Sequence, residues 1–381
     1  MPKARETTMK SGKTLQELAA EIQAQSDAKR DYVANTAAVD VACSKGELTV
    51  KLPGQPALEV NDIAHGQLAT LTGIPKPYYD KMRQQVPELL ATNVAEWFAR
   101  TPSKRLFRTF DWKDESKRNT LRANLSDKYM PLDNDDLAEA LLPVLLDRKL
   151  DVVSCDVTPT KLYIKAVDKQ LFRDVPIGFK MGDGSHRLFD TCAPVVIVSN
   201  SEVGFGRYVI DTGCYTRACT NLCMWSNGGM KRTHVGARHS LSDGMSPEEL
   251  EKLLSYQAKK KTIEALWLQS RDVITAAFDK DVFTKRCEQL AATAENKIKP
   301  EDVTEVVERV RERFTLTEGE SKSVLARLIE SGNLSQYGLH AAITRTAEDS
   351  NDYDRATDLE YLGGKVIELP KTEWARLAEA A

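Results

Sequence analysis

Short segments of strand-like composition follow one another closely between residues 150 and 224. They are rich in Val, Ile and Tyr, and Thr-Pro-Thr, Gly-Asp-Gly and Gly-x-Gly turns separate them. Because such turns are too short for crossover helices, the strands must pair antiparallel. The sequence therefore predicts an α+β fold with a central antiparallel β-sheet, whose strands are Leu150–Val157, Leu162–Val167, Val195–Ser199, Arg207–Asp211 and Tyr215–Cys219.

Helical patterns before and after this sheet predict helical layers on either side of it. An alternating pair within 39–52 suits a hairpin, and Asp133 is expected to cap a helix to about Leu146, with Asp136 as its reciprocal partner. Ser246-Pro247-Glu248-Glu249 marks another helix start. We expect four regions: a mainly helical N-terminal region (1–148), an antiparallel β core with a basic loop (149–245), a long helical region (246–315) and an acidic C-terminal helical tail (316–381).

The formal net charge of −3 conceals regions of opposite sign. Residues 104–128 contain eight basic and four acidic residues, and residues 204–240 contain five basic residues against Asp211 alone. Residues 301–381 contain 17 acidic and ten basic residues. A near-neutral total therefore does not exclude a polyanionic partner, and the two basic segments are where such a partner would bind.

The second basic segment also carries aromatic residues, a combination typical of proteins that bind single-stranded nucleic acid, where cations meet phosphates and bases stack on rings. The alternative interpretation is a solvated loop beside core aromatics. On the first interpretation we expect one group of phosphate-contacting residues in this segment and a second patch in the 104–128 region. The first group is Arg207, Arg217, Lys231, Arg232 and Arg238, and the second is Arg122, Lys128 and Tyr129.

Metal and catalytic templates fit poorly. Cys219, Cys223, His234 and His239 approach the spacing of a two-Cys, two-His zinc site, but a Ser-Asn-Gly-Gly segment separates the pairs and no predicted helix carries both histidines. The acidic clusters at 133–136 and 349–354 are better explained as a helix cap and a solvated loop than as a nuclease metal site. P-loop, dinucleotide and nucleophile-elbow motifs are absent from the sequence. We therefore predict no catalytic residue, metal or cofactor.

Several longer strings resemble the phage/plasmid-like protein family, catalogued as domain of unknown function nine-three-two. The strings are AHGQLATLTGIPKPYYDKM (64–82), LRANLSDKYMPLDNDDLAEALLPVL (121–145), VIVSNSEVGFGRYVID (196–211), CTNLCMW (219–225), KRTHVG (231–236) and DYDRATDLEYLGGKVIEL (352–369). Leu222 and Cys223 depart from the pattern of that family, which further weakens the zinc interpretation. The resemblance implies a cytoplasmic accessory protein of a mobile element.

The 194–240 block is also similar to what phage single-strand annealing proteins use, namely a β-meander on a helix, a basic groove and assembly into rings or filaments. This is a fold-level similarity and does not transfer function by itself. The leading hypothesis is a non-enzymatic single-stranded DNA-binding and annealing protein of a phage or plasmid, acting in recombination or replication as a homo-oligomer. A host or phage replication or recombination protein is a further expected partner.

The alternatives to this hypothesis are an interaction or regulatory protein of the element, for example in counter-defence, and a metal-dependent nuclease. No membrane partner is expected, because no window of the sequence has the apolar length of a membrane span.

Overall fold

The computed structural model describes residues 12–114, 116–180, 186–216, 221–234 and 256–378. Within these ranges the chain forms twelve α-helices and two six-stranded sheets, which are mostly antiparallel. The predicted α+β class is therefore confirmed, although a second sheet accompanies the one that the sequence predicts. None of the helices in these ranges has the length and apolar character needed to cross a membrane.

The first sheet is built from the N-terminal region. Its strands are β1 (Lys29–Asn35), β2 (Asp40–Ser44), β3 (Glu47–Lys51), β4 (Ala57–Val60), β5 (Lys104–Phe110) and β6 (Thr120–Ser126), in the order β1-β5-β6-β4-β3-β2. β2 and β3 form the predicted hairpin. β4 and β6 run parallel, which the long connection between them allows. That connection contains helices α2 (Asp62–Thr72), α3 (Lys76–Gln85) and α4 (Pro87–Arg100) and strand β5.

These three helices share an apolar core with the first sheet. Leu68 of α2 and Leu90 and Val94 of α4 are fully buried in one cluster with Leu48 of β3 and Phe107 of β5. Each helix alone is amphipathic and has to cover its apolar face. The helices that the sequence predicts here therefore form a layer, and the layer lies on a sheet of which only the β2–β3 hairpin was predicted.

The second sheet corresponds to the predicted central sheet. Its strands are β7 (Asp151–Val157), β8 (Leu162–Val167), β9 (Arg173–Lys180), β10 (His186–Asn200), β11 (Tyr208–Thr216) and β12 (Asn221–Arg232). The order is β12-β11-β10-β8-β7, with β9 also paired to β10, and every pair is antiparallel as predicted.

Two predictions within this sheet are wrong. The described parts of the segments predicted as separate strands at 207–211 and 215–219 belong to one strand, β11, because its residues pair with β10 in an unbroken register from Val209 to Thr216. Residues 217–219 lie outside the described residues. The segment predicted as a flexible basic loop is strand β12 as far as Arg232. Its Ser-Asn-Gly-Gly stretch (226–229) lies where the register shifts between Ile210 and Thr212 of β11. A bulge of this kind absorbs the residues whose composition suggested a loop.

Helices from distant parts of the chain cover one face of the second sheet. They are α1 (Leu15–Ala28), α5 (Asn134–Asp147) and α6 (Tyr256–Ala277). Leu18, Leu141 and Ile274 from these helices are buried in one cluster with Ile164 of β8 and Val196 of β10. Helix α7 (Lys280–Ala294) packs against β9, where Phe283 and Leu290 are buried with Val175 and Ile177. The predicted helix start at Ser246 lies outside the described residues.

The C-terminal helices form a further packed unit: α8 (Val303–Phe314), α9 (Glu318–Ser331), α10 (Gln336–Thr346), α11 (Tyr353–Ile367) and α12 (Lys371–Ala378). They share a core that includes Val310, Leu328, Leu339, Leu359 and Val366. The acidic cluster at 349–354 was expected to be a solvated loop, but α11 begins within it at Tyr353, and Asp352 caps the N-terminus of that helix.

Two adjacent glycines let α11 approach its neighbours closely. A Cβ atom on Gly364 would lie 1.6 Å from the carbonyl oxygen of Met224 in β12, and one on Gly363 would lie 2.3 Å from the Cγ2 of Thr344 in α10. Such distances leave no room for a side chain, so this Gly-Gly pair is required by packing. Through it, the region predicted to be an acidic tail rests directly on the second sheet.

Candidate nucleic-acid interface

Two segments that belong to the strings 121–145 and 196–211 meet in the structure. The first, 125–134, connects β6 to α5, and the second, 199–204, connects β10 to β11. The Tyr129 hydroxyl donates to the carbonyl of Ser201 at 2.7 Å, and the Asn200 side-chain amide donates to the carbonyl of Leu132 at 2.7 Å. This contact joins the first sheet to the second.

A buried arginine lies at the centre of this contact. Arg108 of β5 is 0% exposed, and its guanidinium reaches Asp31 at 3.0 Å, Asp133 at 2.6 Å and the carbonyl of Glu202 at 3.0 Å. Burial opposes its charge, yet the carboxylates of Asp133, Asp31 and Glu202 outweigh burial and raise the pKa of Arg108. Arg108 therefore stays charged and ties β1, α5 and the β10–β11 connection together.

Glu202 makes a second set of buried bonds. One carboxylate oxygen accepts from Arg122 Nη2 at 2.9 Å, and the other accepts from the backbone N–H of Asn134 at 2.8 Å. Glu202 thus caps helix α5 from another part of the chain. Asp133 occupies the N-cap position of this helix, as predicted, but its side chain bonds Arg108 and Lys29 and makes no capping hydrogen bond.

The 199–204 connection is itself held in one shape. Ser201 Oγ accepts from the backbone N–H of Phe205 at 2.9 Å, and Gln67 of α2 donates to the carbonyl of Val203 at 2.7 Å. Gly204 has a φ of +81°, a conformation that favours glycine, and a Cβ there would lie 2.7 Å from Leu125. The connection therefore positions the residues that follow it, Phe205 to Arg207, rigidly.

His234 completes the contact from the end of β12. Its ring stacks on Tyr129 with centroids 5.0 Å apart and planes 9° apart, and its carbonyl accepts from the backbone N–H of Met130 at 2.8 Å. Burial lowers the pKa of His234 to about 4, so the ring is neutral at pH 7. A histidine stacked in this way supports the end of β12 and is not presented to solvent.

Three cations lie at the surface around this buried contact. Lys128 and Arg207 are exposed, Arg232 is half-buried, and the ring of Phe205 is 49% exposed. Lys128 adjoins Tyr129, Arg207 follows the 199–204 connection, and Arg232 lies two residues before His234. The backbone therefore brings Lys128, Phe205, Arg207 and Arg232, which we call the junction surface, to the edge where the two sheets meet. The side chain of Lys161 borders it, since its Cε lies 3.0 Å from the place of a Cβ on Gly206.

Not every predicted phosphate contact faces solvent. Arg122 is only 7% exposed, bonds Glu202 and lies over the Phe110 ring at 4.0 Å, so its geometry counts against a phosphate contact. Lys231 is exposed, but its Nζ lies 3.6 Å from the buried carboxylate of Asp211. The hydroxyl of Tyr129 is used within the protein. Arg217 and Arg238 lie outside the described residues.

The basic residues between 104 and 128 do not form one exposed patch. Arg108 and Arg122 are buried, Arg118 pairs with Glu59, and Lys117 lies 4.2 Å from the centroid of the Trp112 ring. Much of this local charge is therefore already balanced or structural, and Lys128 is the member that reaches the junction surface.

The described residues hold no group of three or more His, Cys, Asp or Glu side chains arranged to bind a metal ion. Of the four residues that approach zinc-site spacing, Cys223 and His234 are buried, and Cys219 and His239 lie outside the described residues. The acidic clusters have other roles. Asp133 pairs with Lys29 and Arg108, and Asp352 caps α11.

Sequence reasoning missed Arg108 and Glu202, the two residues that organise the site. The available signal for Arg108 was a charge inside the strand-like run Leu106–Phe110, since a central strand seldom holds an unpaired cation. Glu202 lies in the string 196–211, and the sequence indicated no role for it. A charged residue type alone suggests an exposed position, so the sequence does not distinguish Arg108 and Glu202 from charged residues at the surface.

Comparisons of the chain with protein-family models, with curated proteins and with solved structures find no match. The resemblance to the phage/plasmid-like family accordingly stays a prediction.

Proposed function

We propose that this protein binds single-stranded nucleic acid, DNA in the first instance, along the junction surface and promotes annealing of complementary strands. The observation that carries the proposal is the convergence of Lys128 and Tyr129 with Arg207, Phe205 and Arg232, which belong to two basic segments far apart in the chain. A single binding face requires this convergence.

The chemistry of the junction surface suits a flexible polyanion. Cations on two chain segments neutralise phosphates and release counterions, and the Phe205 ring offers a base a surface on which to stack. Stacking is tolerant of sequence and leaves the Watson–Crick edges of the bases free to pair. These are the requirements of annealing, which needs no nucleotide hydrolysis.

The buried network gives this surface its rigidity. Arg108, Glu202 and Gln67 fix the segments that carry Lys128 and Arg207, so little order has to be gained when a strand binds. We further propose that protomers associate into a ring or filament, which extends a short surface into a continuous track. Recombination or replication of phage or plasmid DNA is the context in which we propose this activity, and the resemblance stated above is its support.

Charge reversal at the junction surface tests the proposal. The double variant Lys128→Glu with Arg207→Glu should bind a fluorescent oligothymidylate at least about tenfold more weakly than the parent protein at low salt, because two phosphate contacts become repulsive. Annealing of complementary labelled strands should slow in parallel. Fluorescence anisotropy measures the first quantity and energy transfer between the strands the second.

The matched control reverses two exposed lysines of the C-terminal half, Lys299→Glu with Lys322→Glu. It changes the net charge by the same amount and should alter affinity no more than about twofold. Equal weakening by both double variants, or unchanged affinity in the junction variant, would contradict the assignment of the binding face.

A further inference from the structure

A second concave site lies away from the junction surface. It is a cavity of about 320 Å³ between strand β12, helix α7, Gln336 of α10 and the α11–α12 connection. This volume is at the lower end of the range of small-molecule sites in proteins. The proposed nucleic-acid surface uses none of its lining residues.

One wall of the cavity contains a buried donor that lacks an acceptor. Trp225 of β12 is 1% exposed, and its Nε1–H finds no hydrogen-bond partner among the described residues. An indole nitrogen can only donate, and a buried donor left unpaired costs about 1–3 kcal/mol. Because Trp225 lines the cavity, an acceptor on a bound molecule is a natural means of satisfying this group.

Two cations line the same cavity. The guanidinium carbon of Arg286 lies 5.3 Å from the centroid of the Trp225 ring, and its Nη1 donates to Gln289 at 3.2 Å. No ion pair within the described part of the chain involves Arg286. Lys371 begins α12 and is exposed, and Glu368 is the one carboxylate among the lining residues. The described lining is therefore net positive.

Two amide side chains of the cavity lining are hydrogen-bonded within the protein. Asn296 donates its side-chain amide to Gln336 Oε1 at 2.5 Å, and Gln336 in turn donates to the carbonyl of Val366 at 2.7 Å. Since these two amides are held by each other and by the backbone, a ligand would meet an ordered surface and not one that must first rearrange.

We propose that this cavity binds a small organic anion, a carboxylate or a phosphate monoester, with its acidic group on Arg286 and Lys371 and an acceptor atom on the Trp225 Nε1–H. A guanidinium binds carboxylates and phosphate monoesters alike through paired hydrogen bonds, so the same contacts would hold either class of anion. The site is independent of the proposed nucleic-acid binding, and its test uses no nucleic acid.

The experiment is a calorimetric titration of the full chain with benzoate, phenyl phosphate and the neutral analogue benzamide. Saturable binding of either anion, with benzamide binding at least about tenfold more weakly, supports the proposal. The anion that binds more tightly shows whether the site prefers a carboxylate or a phosphate monoester. Absence of saturable binding of both anions up to about 10 mM overturns it. Equal binding of benzamide and benzoate also overturns it.

Variants locate the binding. Arg286→Gln should weaken binding of the preferred anion at least about tenfold, because it removes a charge-assisted pair. Lys285→Gln on the same helix, whose residue does not line the cavity, should leave binding unchanged. Trp225→Phe keeps most of the ring and removes the donor, so binding should weaken about fivefold. Binding that survives Arg286→Gln unchanged overturns the assignment even if the Trp225 variant does not fold.

Discussion

Replacing Arg108 with Met should lower the free energy of unfolding by about 3–5 kcal/mol. Arg108 is fully buried and is bonded to Asp31, Asp133 and the carbonyl of Glu202. The substitution keeps an unbranched apolar chain but leaves two carboxylates beside an apolar group. Removing one partner of a buried ion pair is costly because the other charge is left buried and unpaired, even where the complete pair contributes little to stability. Urea unfolding followed by circular dichroism measures the change.

Arg100→Met is the matched control for Arg108. Arg100 pairs with Glu96 four residues earlier on an exposed helix face. Exposed pairs of this kind contribute little, so the control should stay within about 0.5 kcal/mol of the parent protein. A loss below about 1 kcal/mol in the Arg108 variant would show that this arginine does not join the two sheets as described.

Replacing Gly364 with Ala should cost about 2–3 kcal/mol, although Ala is the better helix former by about 1 kcal/mol. The added Cβ would meet the Met224 carbonyl oxygen at 1.6 Å, so α11 has to move away from β12. Displacing a packed helix loses contacts along its whole buried face. The midpoint of thermal unfolding should fall accordingly.

Gly319 in α9 provides the corresponding control. A Cβ there has nothing within 4 Å, so Gly319→Ala should leave stability unchanged or raise it by up to about 1 kcal/mol. If both glycine variants proved equally stable, the close approach of α11 to the second sheet would be refuted.

Elements with strong periodicity were predictable from the sequence. Strands β7 and β8 and helix α5 lie where the sequence predicts them, within one or two residues at each end. Their backbone conformation is determined locally, by capping and by the spacing of apolar residues.

Strands whose pairing depends on distant residues were not predictable in this way. β1 and β5 pair with each other across about 70 intervening residues, and β5 reads as a basic segment because it contains Lys104, Arg105 and Arg108. In β12, glycines suggested a loop, whereas the paired register with β11 accommodates them in a bulge. In both strands, pairing with a neighbouring strand determines the backbone conformation and outweighs the local propensity of the residues.

The candidate site was predictable only in part. Lys128, Arg207 and Arg232 were named from charge and lie in one region, but their common location depends on hydrogen bonds between segments some 70 residues apart. Arg122 has the same charge as these residues and is nevertheless buried against Glu202. Composition therefore indicates which residues carry charge, and only the fold determines which of them faces solvent.

The most direct test of nucleic-acid binding is a titration of the parent protein into labelled oligothymidylate of about 30 nucleotides at about 50 and 200 mM salt. With three to four phosphate contacts on the junction surface, the slope of log affinity against log salt should be about −2 to −3. Saturable binding with that slope is the result we expect. Absence of saturable binding at the lower salt concentration, or an affinity insensitive to salt, would contradict the proposed function.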